Sequence, residues 1–209
     1  MSSEVPPSPG PSPAGPPVGE SDRADMVRLV AGHDAALNDL MERHAPSVFR
    51  FLCRMLASED DADDLTQETF VRVYQNRTSF RADACFSTWL FTIAANLARN
   101  HLRWRERHPN VALEAKPDED TPSLRDTLSD GRLSAPEAME AAERVDAIRS
   151  AVAELPEELR TPLVLAEYED QSQKEIAQIL SCSVKAVETR IYRARQQLRT
   201  SLRRFLGKT

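Results

Sequence analysis

The chain has no apolar run long enough to cross a membrane. Its first twenty residues are rich in proline and serine and lack the charged-then-apolar layout of a secretory leader. Both absences point to the cytoplasm. Cysteine is scarce: Cys53, Cys85 and Cys182 are far apart, form no CxxC pair and sit in apolar or turn patterns. Free structural thiols are therefore expected rather than a zinc site. No glycine-rich loop is present to cradle a phosphate, and His33, His44, His101 and His108 are scattered without a nucleophile or metal-ligand partner motif. Nothing here suggests an enzyme, and neither a metal nor a cofactor is expected.

At 209 residues and 41% hydrophobic, the chain can hold one large or two small domains. The net charge of −6 argues against a nucleic-acid binder until its distribution is read. Residues 71–108 carry seven Lys and Arg against two Asp and Glu, and residues 170–209 carry nine against three. Between them, residues 109–158 carry thirteen acidic and five basic side chains. Two basic blocks separated by an acidic one suggest two nucleic-acid-facing modules and a linker that avoids DNA.

The most structured signal runs over residues 170–206. Ser172 and Glu175 have the spacing of a capping box, followed by Ile176, Ala177 and Leu180 at helical intervals. Ser181, Cys182 and Ser183 interrupt the pattern, and Ser183 can cap a second helix. There Val184, Val187, Ile191, Ala194 and Leu198 fall on one face. A short helix, a three-residue turn and a longer helix make a helix-turn-helix. On the opposite face lie Lys185, Glu188, Thr189, Tyr192, Arg193 and Gln196, surrounded by Arg190, Arg195, Arg199, Arg203 and Arg204. Such a face suits a major groove, with base edges met near the helix start and phosphates met by the flanking arginines.

Upstream, residues 1–20 hold seven of the fourteen prolines and predict a disordered or polyproline tail. A first helix is expected over residues 25–31, ended by Gly32, and a second capped by Asp34, with Pro46 kinking or restarting it. Next comes an acidic helix start. Its dipole explains some of the carboxylates, but Asp60, Asp61, Asp63, Asp64 and Glu68 exceed what capping requires. They face a basic protein partner or simply solvent, while Leu65, Phe70, Val73 and Tyr74 mark the core side.

Residues 76–86 form a polar loop carrying Arg77, Phe80 and Arg81. The helix that follows, to about residue 105, has an apolar stripe of Phe86, Leu90, Ile93, Ala94 and Leu97. Its other face bears Trp89, Thr92, Asn96, Arg99 and Arg103. A stacking plate, a base-edge donor and acceptor, and phosphate-neutralising cations suit unpaired bases. Half-buried tryptophan on a solvated helix is the plainer alternative.

Residues 109–131 lack periodicity and read as a flexible linker. From Ser134-Ala135-Pro136-Glu137 a helix begins, with Ala138, Ala141, Val145, Ile148, Val152 and Leu155 as a packing stripe. Another opens at Pro156, with Leu159, Leu163 and Ala166, and leads into the helix-turn-helix. The fold class is all-α: two small helical domains joined by a flexible acidic linker. The expected segments are a tail over 1–20, a first domain over 21–108, the linker over 109–133 and a second domain over 134–209.

The block DADDLTQETFVRVYQNRTSF with ACFSTWLFTIAANLARNHLRWR resembles region 2 of the sigma factors of bacterial RNA polymerase. The block LPEELRTPLVLAEYEDQSQKEIAQILSCSVKAVETRIYRARQQL resembles their region 4. With only those two regions and a short linker, the chain resembles the extracytoplasmic-function group, especially its envelope-stress branch. The resemblance spans residues 25–202.

It implies that Asp63, Asp64, Gln67, Glu68 and Phe70 dock on the coiled coil of the polymerase's largest subunit, and that the polymerase flap is a second contact. It further implies that residues 76–87 select the −10 element on the non-template strand, and that Trp89 helps open the duplex. Asn96 would contact an everted base, with Arg77, Phe80, Arg81, Arg99 and Arg103 beside it. Thr189, Tyr192 and Arg193, with Lys185, Glu188 and Gln196, would read the −35 element of promoter DNA. Glu188 departs from the basic residue common in the family. An anti-sigma factor is a further partner the resemblance suggests. Two rivals remain: a dimeric helix-turn-helix regulator pairing through the Ala138-to-Leu155 stripe, and an all-helical adaptor that binds protein alone.

Overall fold

The computed structural model describes residues 18–81, 83–108 and 135–203. The proline-rich segment, the linker, Ser134 and Arg204 lie outside the described residues. Among the described residues there are eight α-helices, one 3-10 turn at Arg77–Ser79 and no strand. The all-α expectation holds, and no described helix is long and apolar enough to cross a membrane.

Four helices make the first bundle: α1 (Val18–Val30), α2 (Ala35–Leu56), α3 (Glu59–Gln75) and α4 (Phe86–Arg107). Helix α1 begins seven residues before the sequence pattern places it. The reason is tertiary. Asp22 and Asp25 are paired to Arg43 of α2 at 3.0 and 2.5 Å, and His44 meets Asp22 at 2.9 Å. Met26 and Leu29 are fully buried beneath these pairs. Gly32 closes the turn in the left-handed region, at φ 90°, where a side chain is strained.

Two local expectations differ from the structure. Asp34 precedes α2 in right-handed helical geometry and makes no side-chain cap bond. Pro46 does not restart α2, which runs unbroken for 22 residues. Proline removes one amide donor to Glu42, but Leu40 on one side and Val48, Phe51 and Leu52 on the other are fully buried. Burial of each such side chain contributes roughly 1.5–3 kcal/mol, enough to hold the helix through one missing bond. Helix α3 starts as its sequence suggests, with Ser58 accepting from the Asp61 amide at 3.3 Å.

The second set comprises α5 (Ala135–Ala153), α6 (Glu157–Glu167), α7 (Gln173–Ile179) and α8 (Val184–Ser201). Where its side chains are described, the stripe expected along α5 is buried only at its C-terminal end. Val152 and Leu155 just beyond it are buried, whereas Ile148 is 41% exposed. The core of this half lies between α6, α7 and α8, around Leu159, Leu163, Ile176, Val187 and Ile191.

The two sets pack on one another, α7 against α4 and α6 against the end of α2. Three charged side chains cross the seam. Arg160 of α6 donates to the Met55 carbonyl at 2.6 Å and to the Leu155 carbonyl at 2.7 Å, and also reaches the Ala153 carbonyl. Arg99 of α4 donates to Glu157 at 3.2 Å. Arg54 of α2 lies 3.5 Å from Glu169 and sits over the Tyr168 ring, 4.1 Å from its centroid.

Candidate nucleic-acid interface

The helix-turn-helix is α7 and α8. The capping box is present in both directions: Glu175 donates its amide to Ser172 Oγ, and the Ser172 amide donates to the Glu175 carboxylate at 2.8 Å. Ser181 turns the chain at φ 50°, and Ser183 accepts from the Ala186 amide at 3.2 Å. These two caps fix the angle at which α8 leaves the turn. Val187, Ile191 and Ala194 are buried against α6 and α7, but Val184, placed on that stripe by periodicity, is 37% exposed at the helix start.

That packing leaves Lys185, Thr189, Tyr192, Arg193 and Gln196 exposed along one side of α8, with Tyr192 at 64%. Glu188 is half-buried and paired to Lys185 at 3.0 Å, so its charge is partly spent on its own helix. The Thr189 hydroxyl donates to the Lys185 carbonyl at 2.9 Å. Not every flanking arginine is available. Arg195 is held by Glu167 at 2.5 Å, and Arg190 bends back to Cys182 Sγ at 3.7 Å. Arg193 and Arg199 are exposed.

In the first bundle, α4 carries the second candidate face. Asn96 and Arg103 are exposed, while Thr92 and Arg99 are half-buried. Arg99 joins the Asn96 side-chain oxygen at 3.3 Å and Glu157 at 3.2 Å, so it bridges this face to the other half. Trp89 is not a free plate. It is half-buried in an aromatic cluster, 5.2 Å from Phe80 and 6.2 Å from Phe86. Phe80 thus acts as a support for Trp89, a tertiary contact that spacing across the loop does not reveal. Arg77 also serves the local fold, donating to the Tyr74 carbonyl at 2.7 Å and stacking on its ring. Arg81 stays exposed and bonded to Asp83 at 2.9 Å, which holds the Asp83 carboxyl below its ordinary value.

The acidic helix divides in the same way. Asp63, Asp64 and Gln67 are exposed on α3, with Gln67 donating to Asp63 at 2.8 Å. Glu68 is half-buried and paired to Arg72 at 2.7 Å. Asp61 turns inward, 3.4 Å from His101 and 3.8 Å from Arg105. Phe70, placed by its pattern on the core side and by resemblance on the docking side, is 2% exposed. Its side chain belongs to the core of the first bundle.

The cysteines are free thiols. Burial pushes Cys53 up to about 11. At Cys85 burial also acts upward, but hydrogen bonds from Ser87 and Thr88 outweigh it and leave the thiol below its ordinary value.

An all-helical pair, one half bearing an acidic face and a polar α4 and the other a helix-turn-helix, is the arrangement of two sigma regions. The family model for sigma-70 region 2 matches residues 40–108, and that for sigma-70 region 4 matches residues 146–198. The chain is 32% identical to the RNA polymerase sigma-H factor of Pseudomonas aeruginosa, over 90% of this chain and 96% of that protein. It is 33% identical to the ECF RNA polymerase sigma factor SigW of Bacillus subtilis, over 85% and 95% of the two chains. The chain belongs to the extracytoplasmic-function sigma factors of RNA polymerase.

Among solved structures, CnrH in complex with the cytosolic domain of CnrY matches at a TM-score of 0.64 and 28% identity, covering 87% of this chain and 97% of that one. The sigma factor RpoE from Bartonella quintana, in complex with the anti-sigma factor NepR, shares the fold at a TM-score of 0.61 and 21% identity. That match covers 79% of this chain and 96% of the other.

Proposed function

We propose that this sigma factor divides initiation among three faces. The exposed carboxylates of α3, Asp63 and Asp64 with Gln67 and Glu68, dock on the basic coiled coil of the polymerase's largest subunit, and the second half of the chain meets the flap. The exposed side of α8 enters the major groove at the −35 element, with Lys185, Thr189, Tyr192, Arg193 and Gln196 at base edges and phosphates and Glu188 at a cytosine amino group. The loop with Arg81 and the α4 face of Asn96, Arg99 and Arg103, backed by Trp89 on Phe80, captures the non-template strand of the −10 element.

Binding the open strand and not the duplex shifts the pairing equilibrium toward the bubble, by the difference in affinity for the two forms. The chain performs no covalent step in this reading, since polymerase supplies the chemistry. It works in the cytoplasm, where polymerase and promoter are, and an anti-sigma factor that covers one of these faces is a further partner.

One observation carries the reading. Asn96 on α4 and Tyr192 on α8 are both exposed on helices of one chain, each on a face lacking the acidic excess found elsewhere. In the free chain Glu157 occupies Arg99 across the seam, so full use of the α4 face requires the halves to part on polymerase. Reconstituted transcription tests the whole: adding the chain to sigma-free polymerase gives RNA from defined genomic starts. A chain that binds duplex tightly without polymerase and gives no defined start is instead an operator-binding regulator.

A further inference from the structure

The backbone bonds of the loop between α3 and α4 are local. The Ser79 amide donates to the Asn76 carbonyl at 2.9 Å, that of Phe80 to Arg77 at 3.3 Å and that of Ala84 to Arg81 at 2.9 Å. Side chains therefore decide how the loop sits on the bundle. The centre of that seating is Phe86, 3% exposed at the first position of α4. Phe80 of the loop meets the Phe86 ring near edge-on, with centroids 6.1 Å apart, and Trp89 stands 6.2 Å from it. Phe80 and Trp89 lean on each other and both lean on Phe86.

Behind Phe86 stands His44 of α2, with ring centroids 5.1 Å apart. A leucine could fill that space, but an imidazole also offers an edge that can be held. His44 Nε2 donates to Asp22 Oδ1 at 2.9 Å, and Arg43 Nε donates to the same oxygen at 3.0 Å. The two side chains of the first bond are 12% and 4% exposed, so water competes little for it. An imidazole otherwise turns broadly about χ2, and a bond at one edge fixes the face it shows Phe86.

Asp22 belongs to α1, which precedes residue 40, where the match to the region 2 model begins. The same helix packs against the 3-10 turn at the front of the loop. Its Arg23 also acts on the charge of Asp83, near the loop's end. One helix outside the matched segment thus reaches the start of the loop, its end and its aromatic backing.

We propose that α1 seats the −10 loop: Asp22 holds His44 against Phe86, and this fixed wall sets the placement of Phe80, Trp89 and residues 76–85 that discriminates bases. His44 is a positioning residue, acting through Phe86 and touching no base. The proposal rests on the reading of this loop and the Asn96 face as the −10 surface. It adds that base selectivity there depends on a buried ion-paired contact between α1 and α2.

The test uses polymerase reconstituted with the full chain and promoter libraries built on a start site mapped by the transcription experiment. One library randomises the −10 element and the other the −35 element. His44→Ala and Asp22→Ala should each flatten the ratio of preferred to disfavoured base at −10 by about fivefold, the low end of a base discrimination. Ratios at −35 should stay those of the parent. Asp22→Asn keeps an oxygen that accepts from His44 and should restore most of the −10 preference. Where His44→Ala loses helical content, His44→Leu, which fills the space without the bond, carries the test. A second readout follows the cluster itself. In a Trp104→Phe background Trp89 is the single tryptophan. Its emission should move to longer wavelength in His44→Ala and Asp22→Ala and stay in place in Asp22→Asn.

Lower output from every promoter with base ratios intact makes His44 merely structural and overturns the proposal. Equal flattening at −10 and −35 overturns it too, as does a flattened −10 profile with unchanged Trp89 emission. Asn96→Ala separates the two readings. If it leaves the −10 profile intact, the strand-capture reading fails. If it alters that profile while the His44 and Asp22 variants do not, only the seating proposal falls.

Discussion

Arg54 Nη1 lies 3.5 Å from Oε1 of Glu169, a contact that joins the two halves of the chain. The Glu169 side chain is 2% exposed, and burial pushes its carboxyl up to about 7, against the opposing pull of Arg54 and Arg50 and with the help of Asp170. A raised carboxyl favours the folded, closed form when protonated. The stabilisation is therefore complete below about 4.5, the ordinary value, and is lost as pH rises toward 7. The urea midpoint of the free chain should fall across that window, and Glu169→Gln should flatten the fall. An identical pH profile in the two proteins removes Glu169 as its cause.

Phe70 and Asp64 sit six residues apart on α3 and should fail in opposite ways. Phe70→Ala empties a core position and should cost about 3–5 kcal/mol of stability. Asp64→Lys with Glu68→Lys changes stability by no more than about 1 kcal/mol, because one position is exposed and the other half-buried in a surface pair. Only the charge reversal should abolish capture of core polymerase at unchanged helical content by circular dichroism. Retained capture counts against the acidic face as the docking surface.

Asn96→Ala should impair opening more than initial binding, since the side chain meets only an unpaired base in the proposed mechanism. Permanganate reactivity of unpaired thymines should drop several-fold while closed-complex retention on heparin-free gels stays near that of the parent. Unchanged reactivity rejects the assignment.

Glu188 accepts from Lys185 yet remains near the start of the recognition helix. Glutamate suits a cytosine amino group and arginine suits guanine, each discrimination being about 1–3 kcal/mol. Glu188→Arg should therefore exchange the preference at one −35 position, by about 5- to 150-fold on a randomised promoter library. A preference that moves at no single position excludes direct base contact by this residue.

The helix-turn-helix was readable because its information is local. Ser172, Glu175 and Ser183 cap their own helices, and Val187, Ile191 and Ala194 keep the helical period. The start of α4 at Phe86 was readable for the same reason. What escaped the sequence depends on distant partners. Helix α1 extends back to Val18 because Arg43 and His44 hold Asp22 and Asp25, and no periodicity within α1 encodes that.

The helical wheel leaves Trp89 open between a stacking plate and a half-buried core residue and shows no partner for Arg99; Phe80 and Glu157 reach them from elsewhere in the chain. Phe70 shows the reverse: its apolar neighbours placed it in the core, and the assignment to a docking surface followed motif position, which does not report burial.

Arg160 has a consequence for how the molecule comes apart. One guanidinium, rooted in α6, ties off the carbonyl end of α2 at Met55 along with the bend at Leu155. Severing the chain between its halves would leave α2 with a frayed last turn, and the N-terminal piece alone should melt earlier and less sharply than it does within the intact polypeptide.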